Sequence, residues 1–157
     1  MKYFNRSGFT LTELLVVMAV MGVMATIVVA LINPVTQQQR AYDARRKSDL
    51  SQIQKALELY YNDYGQYPAS GTFTFGSAWG TYMSNVPNDP TSSTKTYFYW
   101  VNTSNYQSYA LYAALDISTD PQKCNPPTTC PNITTRLTGT ECTVACNYGI
   151  SSPNTTP

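Results

Sequence analysis

One carboxylate lies at the edge of a long apolar segment, and its position is the first in this chain to suggest chemistry. Glu13 directly precedes a run from Leu14 to Ile32 that contains no charged residue. A charge inside lipid costs on the order of 2.5–3.5 kcal/mol near the membrane centre, so such a group generally has a partner. The sequence therefore raises the question of which positive group lies opposite Glu13.

The rest of the chain offers little for catalysis. Its 157 residues include no histidine, so the commonest general base and metal ligand is missing. The net charge of +1 indicates neither nucleic acid nor an acidic partner. Because no nucleophile and base lie in a recognisable catalytic pattern, we predict that the chain is not an enzyme.

The apolar segment has the length of a membrane span. It covers about 19 residues, which as a helix cross the roughly 30 Å hydrocarbon core of a bilayer. A secretory signal peptide would end in a cleavage site after small residues, whereas this segment ends in Asn33-Pro34. The segment alone therefore predicts an uncleaved membrane anchor.

The residues before the span carry a more specific pattern. They follow a short leader containing Lys2 and Arg6, and they are Ser7-Gly8-Phe9-Thr10-Leu11-Thr12-Glu13. This pattern resembles the processing site of the type IV filament family, which includes type IV pilins and the pseudopilins of type II secretion. The resemblance implies that a prepilin peptidase cleaves between Gly8 and Phe9, and that the new terminal Phe9 is N-methylated.

The resemblance also implies a partner for Glu13, namely the α-amine of a neighbouring subunit. Because an unpaired buried charge is costly, this pair would reject misaligned subunits; a carboxylate solvated at the headgroups is the alternative. The implied assembly is a homo-oligomeric helical filament. Its other implied partners are the membrane before assembly, an inner-membrane assembly platform and an ATPase.

A second helix is predicted after Pro34, because proline can kink or end the first one. Asp43 and Lys47, an acid–base pair four residues apart, give it mild support, and Gly65 is a plausible stop. Its apolar face recurs at helical spacing, at Leu50, Ile53, Leu57, Tyr60 and Tyr64. The segment resembles the second half of the long helix of pilins and major pseudopilins.

The remaining residues predict a small head. Residues 68–90 form a loop whose aromatic side chains pack over the helix. Residues 94–101 and 108–115 are rich in strand formers and flank a turn, which predicts a hairpin. The predicted fold is α+β, with the long N-terminal helix packed against a small antiparallel sheet and a disulfide-stapled, loop-rich C-terminal tail. We divide the chain into a leader (1–8), a membrane and filament-core helix (9–33), an amphipathic helix (34–65) and a head (66–157).

The tail contains all four cysteines of the chain. They are Cys124, Cys130, Cys142 and Cys146. Their spacings differ from those of zinc sites, so disulfides in an oxidising compartment are predicted. Four cysteines allow three pairings, and the sequence does not choose among them.

A calcium site is the one cofactor that the resemblance suggests. Major pseudopilins carry calcium in a loop near the sheet, and Asp116 and Asp120 are candidate ligands here. Calcium takes six to eight oxygen ligands, so two carboxylates are a weak set. In addition, Asp89-Pro90 lacks the Trp-Gly segment that follows Asp-Pro in pseudopilins. We therefore expect no cofactor, with calcium as the weak alternative.

Basic residues lie on both sides of the span, so a charge count alone would place the C-terminal side in the cytoplasm. The late cysteines, the polar tail and the filament motif favour the outside. The basic cluster would then meet lipid headgroups or acidic groups on neighbours, and nucleic acid stays a weak option. This cluster consists of Arg40, Arg45, Arg46 and Lys47.

The predicted function is that of a major-pilin-like subunit of a type IV pilus, located in the bacterial cytoplasmic membrane and then in a pilus at the cell surface. The elaborate tail and the missing pseudopilin loop pattern favour this prediction. The first alternative is a pseudopilin of a type II secretion or competence machine. An uncleaved membrane-anchored receptor or enzyme is the alternative of another class.

Overall fold

The computed structural model describes residues 8–31, 33–124, 130 and 132–157. This part of the chain divides into two compact units, the first ending at Gln38 and the second running from Gln39 to Pro157. Its helices and strands, in chain order, are α1 (Leu11–Leu31), α2 (Pro34–Tyr64), β1 (Phe98–Val101), β2 (Tyr109–Ala113), α3 (Ile133–Arg136) and β3 (Tyr148–Ser151). The predicted α+β fold is confirmed.

Helix α2 begins and ends at residues suited to those positions. Pro34 is its first residue, where a missing backbone N–H costs nothing. Asn33 caps the helix, because its Oδ1 accepts a hydrogen bond from the N–H of Thr36 at 3.4 Å. At the other end Gly65 adopts a φ of 68°, and its N–H donates to the carbonyl of Tyr61 at 2.7 Å. Glycine accepts this left-handed conformation readily, so the predicted stop is confirmed.

The predicted apolar face of α2 is confirmed over most of its length. Leu50, Ile53 and Leu57 are fully buried. Tyr60 is only partly buried, and Tyr64 is 61% exposed. The prediction for Tyr64 was therefore wrong, since the face that meets the core ends one turn before the helix does.

The sheet has three antiparallel strands in the order β1-β2-β3. The predicted hairpin is confirmed, with Val101 opposite Tyr109, although both strands are shorter than predicted. Strand β3 was not predicted. It pairs with the free side of β2, placing Tyr148 opposite Ala113.

Strand β2 is buried on both faces. Tyr109 and Leu111 belong to the core that also contains Leu50 and Ile53 of α2. Tyr112, on the opposite face, packs in a second cluster contributed largely by the tail. The buried tail residues of that cluster are Cys130, Ile133 and Cys142. The tail therefore acts as a second layer that covers the far face of the sheet.

The predicted disulfides are present, and both are local. Cys124 pairs with Cys130, and Cys142 pairs with Cys146. The loop before the sheet also packs as predicted, because Trp79 is buried against the α2 core and its ring centroid lies 4.6 Å from that of Phe73. The described head is thus held by α2, the sheet and the two disulfide loops.

Candidate assembly site

The predicted cleavage point lies just before α1. Phe9 is 89% exposed, and Gly8 has no atom near the position of an added Cβ. Helix α1 begins only at Leu11. Within the described part of the first unit, therefore, nothing shields the peptide bond between Gly8 and Phe9.

Glu13 forms a capping box with Thr10. The Thr10 N–H and hydroxyl both donate to Oε2 of Glu13, at 2.9 and 2.8 Å. In return, the Glu13 N–H donates to Oγ1 of Thr10 at 3.3 Å. This arrangement satisfies two backbone donors that a helix start leaves unpaired. Sequence reasoning missed this role, although the Thr-x-x-Glu signature is present at Thr10-Leu11-Thr12-Glu13.

The rest of α1 presents an apolar surface. Residues 11–28 have a mean hydropathy of 2.3, and none of them is buried among the described residues. The one hydroxyl in the middle of the helix is satisfied, since Thr26 donates to the carbonyl of Val23 at 2.7 Å. An apolar face of this size is covered in a stable protein by lipid or by other chains. By length and composition this helix can cross a membrane, and a helix of that kind is also a surface for assembly.

A second constellation lies in the second unit (39–157), where the side chain of Arg46 on α2 meets residues of the head. The guanidinium is fully buried and donates to three carboxylates and one hydroxyl. Its contacts are with Asp43 at 2.8 Å, Asp89 at 2.8 and 3.2 Å, Asp116 at 2.6 Å and Thr91 at 2.9 Å. We call these five residues the arginine cluster.

Electrostatics keep the arginine cluster charged. Burial alone opposes the charge on Arg46, but hydrogen bonds to Asp89 and Asp116 outweigh it and raise its pKa above the ordinary value. Burial would also raise the pKa of Asp89, yet hydrogen bonds from Arg46 and Thr91 hold that pKa below its usual range. The pKa of Asp116 is likewise lowered against the effect of burial, by hydrogen bonds from Lys95 and Arg46.

The two calcium candidates lie next to cations of the chain itself. Asp116 contacts Arg46 and Lys95. Asp120 accepts hydrogen bonds from Nζ of Lys47 at 2.7 and 2.8 Å. Over the ranges that the structure describes, there is no group of three or more acidic, histidine or cysteine side chains placed to hold a metal ion.

Two of the four residues of the predicted basic cluster, Arg46 and Lys47, are neutralised by carboxylates of the second unit. Arg46 is buried, and Lys47 binds Asp120 instead of the predicted Asp43. Arg45 remains exposed over 67% of its side chain, 4.0 Å from Asp49. The head therefore presents less positive charge along α2 than the sequence indicates, which weakens the case for nucleic acid.

A leader motif, an exposed apolar helix and a small helix-and-sheet head together define a prepilin-like protein. The family model described as "Prokaryotic N-terminal methylation motif" matches residues 3–29. Among curated proteins, type II secretion system core protein G of Klebsiella pneumoniae is 32% identical over 102 residues, covering 57% of this chain and 71% of that protein. The chain belongs to the family of type IV pilins and type II secretion pseudopilins.

Other relatives match mainly through a shorter segment. The core protein G of Aeromonas hydrophila is 33% identical over 66 residues, and that of Pectobacterium carotovorum subsp. carotovorum is 33% identical over 67 residues. These alignments cover 42% and 43% of this chain but only 45% and 42% of the two relatives, so the chain spans less than half of their length. No solved structure matches the chain significantly.

Proposed function

We propose that this chain is a pseudopilin, a structural subunit of a type II secretion machine or a closely related one. The observation that carries the proposal is the similarity to core protein G, which extends over 71% of the Klebsiella pneumoniae protein. The proposal replaces the pilus subunit predicted from sequence with its first alternative. The family is one of structural proteins, and the mechanism accordingly involves assembly rather than catalysis.

The match to the methylation motif and the exposure of Phe9 support the proposed maturation. A prepilin peptidase cleaves between Gly8 and Phe9, which removes the leader (1–8) and creates a positive α-amine. The amine of one subunit then lies opposite Glu13 of its neighbour, and the apolar faces of the helices exchange lipid for each other. Residues 9–33 form the shared core of the proposed assembly. The assembly platform, its ATPase and the membrane are the proposed partners.

Intact-mass spectrometry tests this maturation. The full chain is co-expressed with a prepilin peptidase in a bacterium and extracted from the membrane. The expected mature protein begins at N-methylated Phe9, whereas Gly8→Val keeps its leader and Ser7→Ala, the neighbouring control, is processed normally. A native protein that still carried residues 1–8 would support the anchored receptor or enzyme instead.

A major-pilin-like subunit of a surface pilus is the second candidate. It is favoured by the tail, whose disulfide-bonded cysteines and Ile133 pack on the second face of the sheet. Such a layer strengthens a subunit that is exposed outside the cell. Electron microscopy of the source bacterium separates the two candidates, because long surface fibres containing this chain favour the pilin and their absence during active secretion favours the pseudopilin.

A further inference from the structure

The arginine cluster bears directly on the calcium site that the family resemblance implies. Both carboxylate oxygens of Asp116 are engaged, one by Lys95 and the other by Arg46. Both oxygens of Asp120 accept from Lys47, and one also accepts the N–H of Gln122 at 2.9 Å. Calcium requires six to eight oxygen ligands, and the cationic side chains already bound to these two carboxylates would repel the ion. These residues therefore do not fit a calcium ion.

Arg46 lies between the carboxylates of three separate segments. The Asp43 carboxylate accepts one hydrogen bond from Arg46 and others from the backbone N–H groups of Asp116 and Ile117, each at 2.8 Å. Asp89, on the other side, accepts from Arg46 and from the N–H of Thr91 at 2.7 Å. A single guanidinium thus connects helix α2 with the loop that follows β2 and with the turn at residues 89–91.

The charges in this region require a cation at that position. Asp43 and Asp89 are 2% and 3% exposed. Without Arg46, they and Asp116 would be left with Lys95, which contacts Asp116 alone among the three. Buried carboxylates that lack a positive partner strongly destabilise a fold. Arginine suits the position because its planar fork can serve several carboxylates at once.

We propose that Arg46 performs in this chain the structural work that a bound divalent cation performs in calcium-bearing pseudopilins. The guanidinium holds the loop after β2 against α2, so the head folds and stays folded without calcium. This proposal concerns the head alone and holds for a pilin and a pseudopilin alike. The maturation experiment and the test below can therefore fail independently.

The first test compares the native full chain in detergent micelles with calcium chloride and with the chelator EDTA. A site with a micromolar dissociation constant would raise the melting temperature by about 10 °C at roughly 1 mM calcium. We expect the two melting temperatures to agree within about 2 °C, since the described residues around Asp116 and Asp120 leave no site for the ion. A rise of about 5 °C or more with calcium would overturn the proposal.

The second test removes the internal cation. Arg46→Ala is expected to lower the melting temperature by about 10–20 °C, because it leaves buried carboxylates unpaired. Arg45→Ala is the matched control on the same helix; its side chain is exposed, so a change within about 2 °C is expected. Arg46→Lys keeps the charge but loses the fork, and it should fall between the two.

Adding calcium chloride to Arg46→Ala then shows whether the position requires a positive charge or only a side chain that fills the space. In Arg46→Ala the oxygens of Asp43, Asp89 and Asp116 face a vacated space, so the ion should recover at least about a third of the lost melting temperature. If Arg46→Ala is unfolded without calcium, refolding when calcium is added would equally support the requirement for a cation. A variant that melts like Arg45→Ala, or one that calcium does not help, would overturn the proposal.

Discussion

Glu13 has one role that the structure shows and a second that is proposed, and mutations can separate them. Its carboxylate caps α1 through Thr10, and in the proposed filament it also meets the α-amine of a neighbouring Phe9. Two groups can share this carboxylate because each of its oxygens accepts more than one hydrogen bond. The capping box belongs to the isolated chain, whereas the ion pair belongs to the assembly.

Glu13→Ala is expected to leave cleavage intact and to lower the yield of assembled filament about tenfold or more, since the neighbouring amine loses its partner. Filament yield is measured by shearing and sedimentation, and cleavage by mass spectrometry. Thr10→Ala is the matched control, because it removes both hydroxyl contacts of the capping box but keeps the carboxylate. An equal loss of filament in both variants would attribute the effect to capping and contradict the pairing role.

Asp49 gives a second prediction at this scale, based on pH. The carboxylate is 6% exposed and accepts the Tyr97 hydroxyl at 2.8 Å. Burial raises its pKa, although the hydrogen bond from Tyr97 opposes the rise. For an acid whose pKa is raised by folding, the contribution to stability is fully present below the unfolded pKa and is lost as pH rises through the folded value.

Asp49→Asn should therefore increase the free energy of unfolding at pH 7, and the increase should disappear below about pH 4. The asparagine oxygen can still accept from Tyr97. Urea unfolding at several pH values measures the effect, and Asp63→Asn is the control, since Asp63 accepts the Tyr82 hydroxyl at 2.8 Å at an exposed position. A destabilised Asp49→Asn protein at pH 7 would contradict the prediction.

The contributions of Asp89 and Asp116 to stability depend on pH in the opposite direction to that of Asp49. Their pKa values are lowered by cationic partners. Their contribution to stability is therefore present above the unfolded pKa and lost as pH falls through the lowered folded values. Acid unfolding of the head is expected to begin with these carboxylates rather than with Asp49.

The secondary elements were predictable where their signals are local. The spacing of Leu50, Ile53 and Leu57 predicted the buried face of α2, and Gly65 predicted its end. Strand β3 and helix α3 were missed, because each has only four residues among turn-forming neighbours. Segments so short carry no periodicity that separates them from loops.

The arginine cluster was not predictable for a different reason. Asp89 lies 43 positions from Arg46 and Asp116 lies 70 positions from it. Local spacing therefore paired Asp43 with Lys47 and assigned Arg46 to an exposed basic cluster. Only the docking of two separate segments onto α2, the turn at residues 89–91 and the loop after β2, brings the three carboxylates together. By contrast, the processing motif and the cysteine-rich tail could be recognised because their residues are close in sequence.

Gly149 in β3 lies where the ring of Tyr112 on β2 comes too close to leave room for a side chain. It lies opposite Tyr112, and a Cβ built at this position would fall 2.8 Å from Cδ1 of that buried ring. Gly149→Ala is expected to destabilise the head by about 1–3 kcal/mol, because the ring has no room to move. The free energy of unfolding in urea measures this cost.

A double-mutant cycle gives the control for this strand. In a Tyr112→Leu background the smaller side chain leaves space, so Gly149→Ala should cost less than it does beside the native tyrosine. The added Cβ would also fall 2.8 Å from Cβ of Pro157. Part of the cost of Gly149→Ala therefore comes from Pro157 and should remain in the Tyr112→Leu background. If the cost is the same in both backgrounds, the contact with Tyr112 is not what requires the glycine.

At the scale of the whole head, the tail and the sheet form one cooperative structure. Strand β3 pairs with β2 along its free side, and Cys130 and Cys142 pack on the same face of β2 as Tyr112. Trp100 lies at this layer too, with the guanidinium of Arg136 4.2 Å from its ring. Because β2 is shared by both cores, neither core can lose its packing while the other keeps it.

Replacing both Cys142 and Cys146 by alanine should therefore destabilise the entire head rather than the tail alone. Each disulfide closes a short loop, whose entropy is worth about 2 kcal/mol, so a loss of that size is expected. Trp79 lies in the α2 core and Trp100 lies against the tail. The fluorescence of each tryptophan, followed in a variant whose other tryptophan is replaced by phenylalanine, should still change at the same urea concentration. Two separate transitions, with the tail unfolding first, would show instead that the second layer is an independent attachment to a head already stable on α2 and the hairpin.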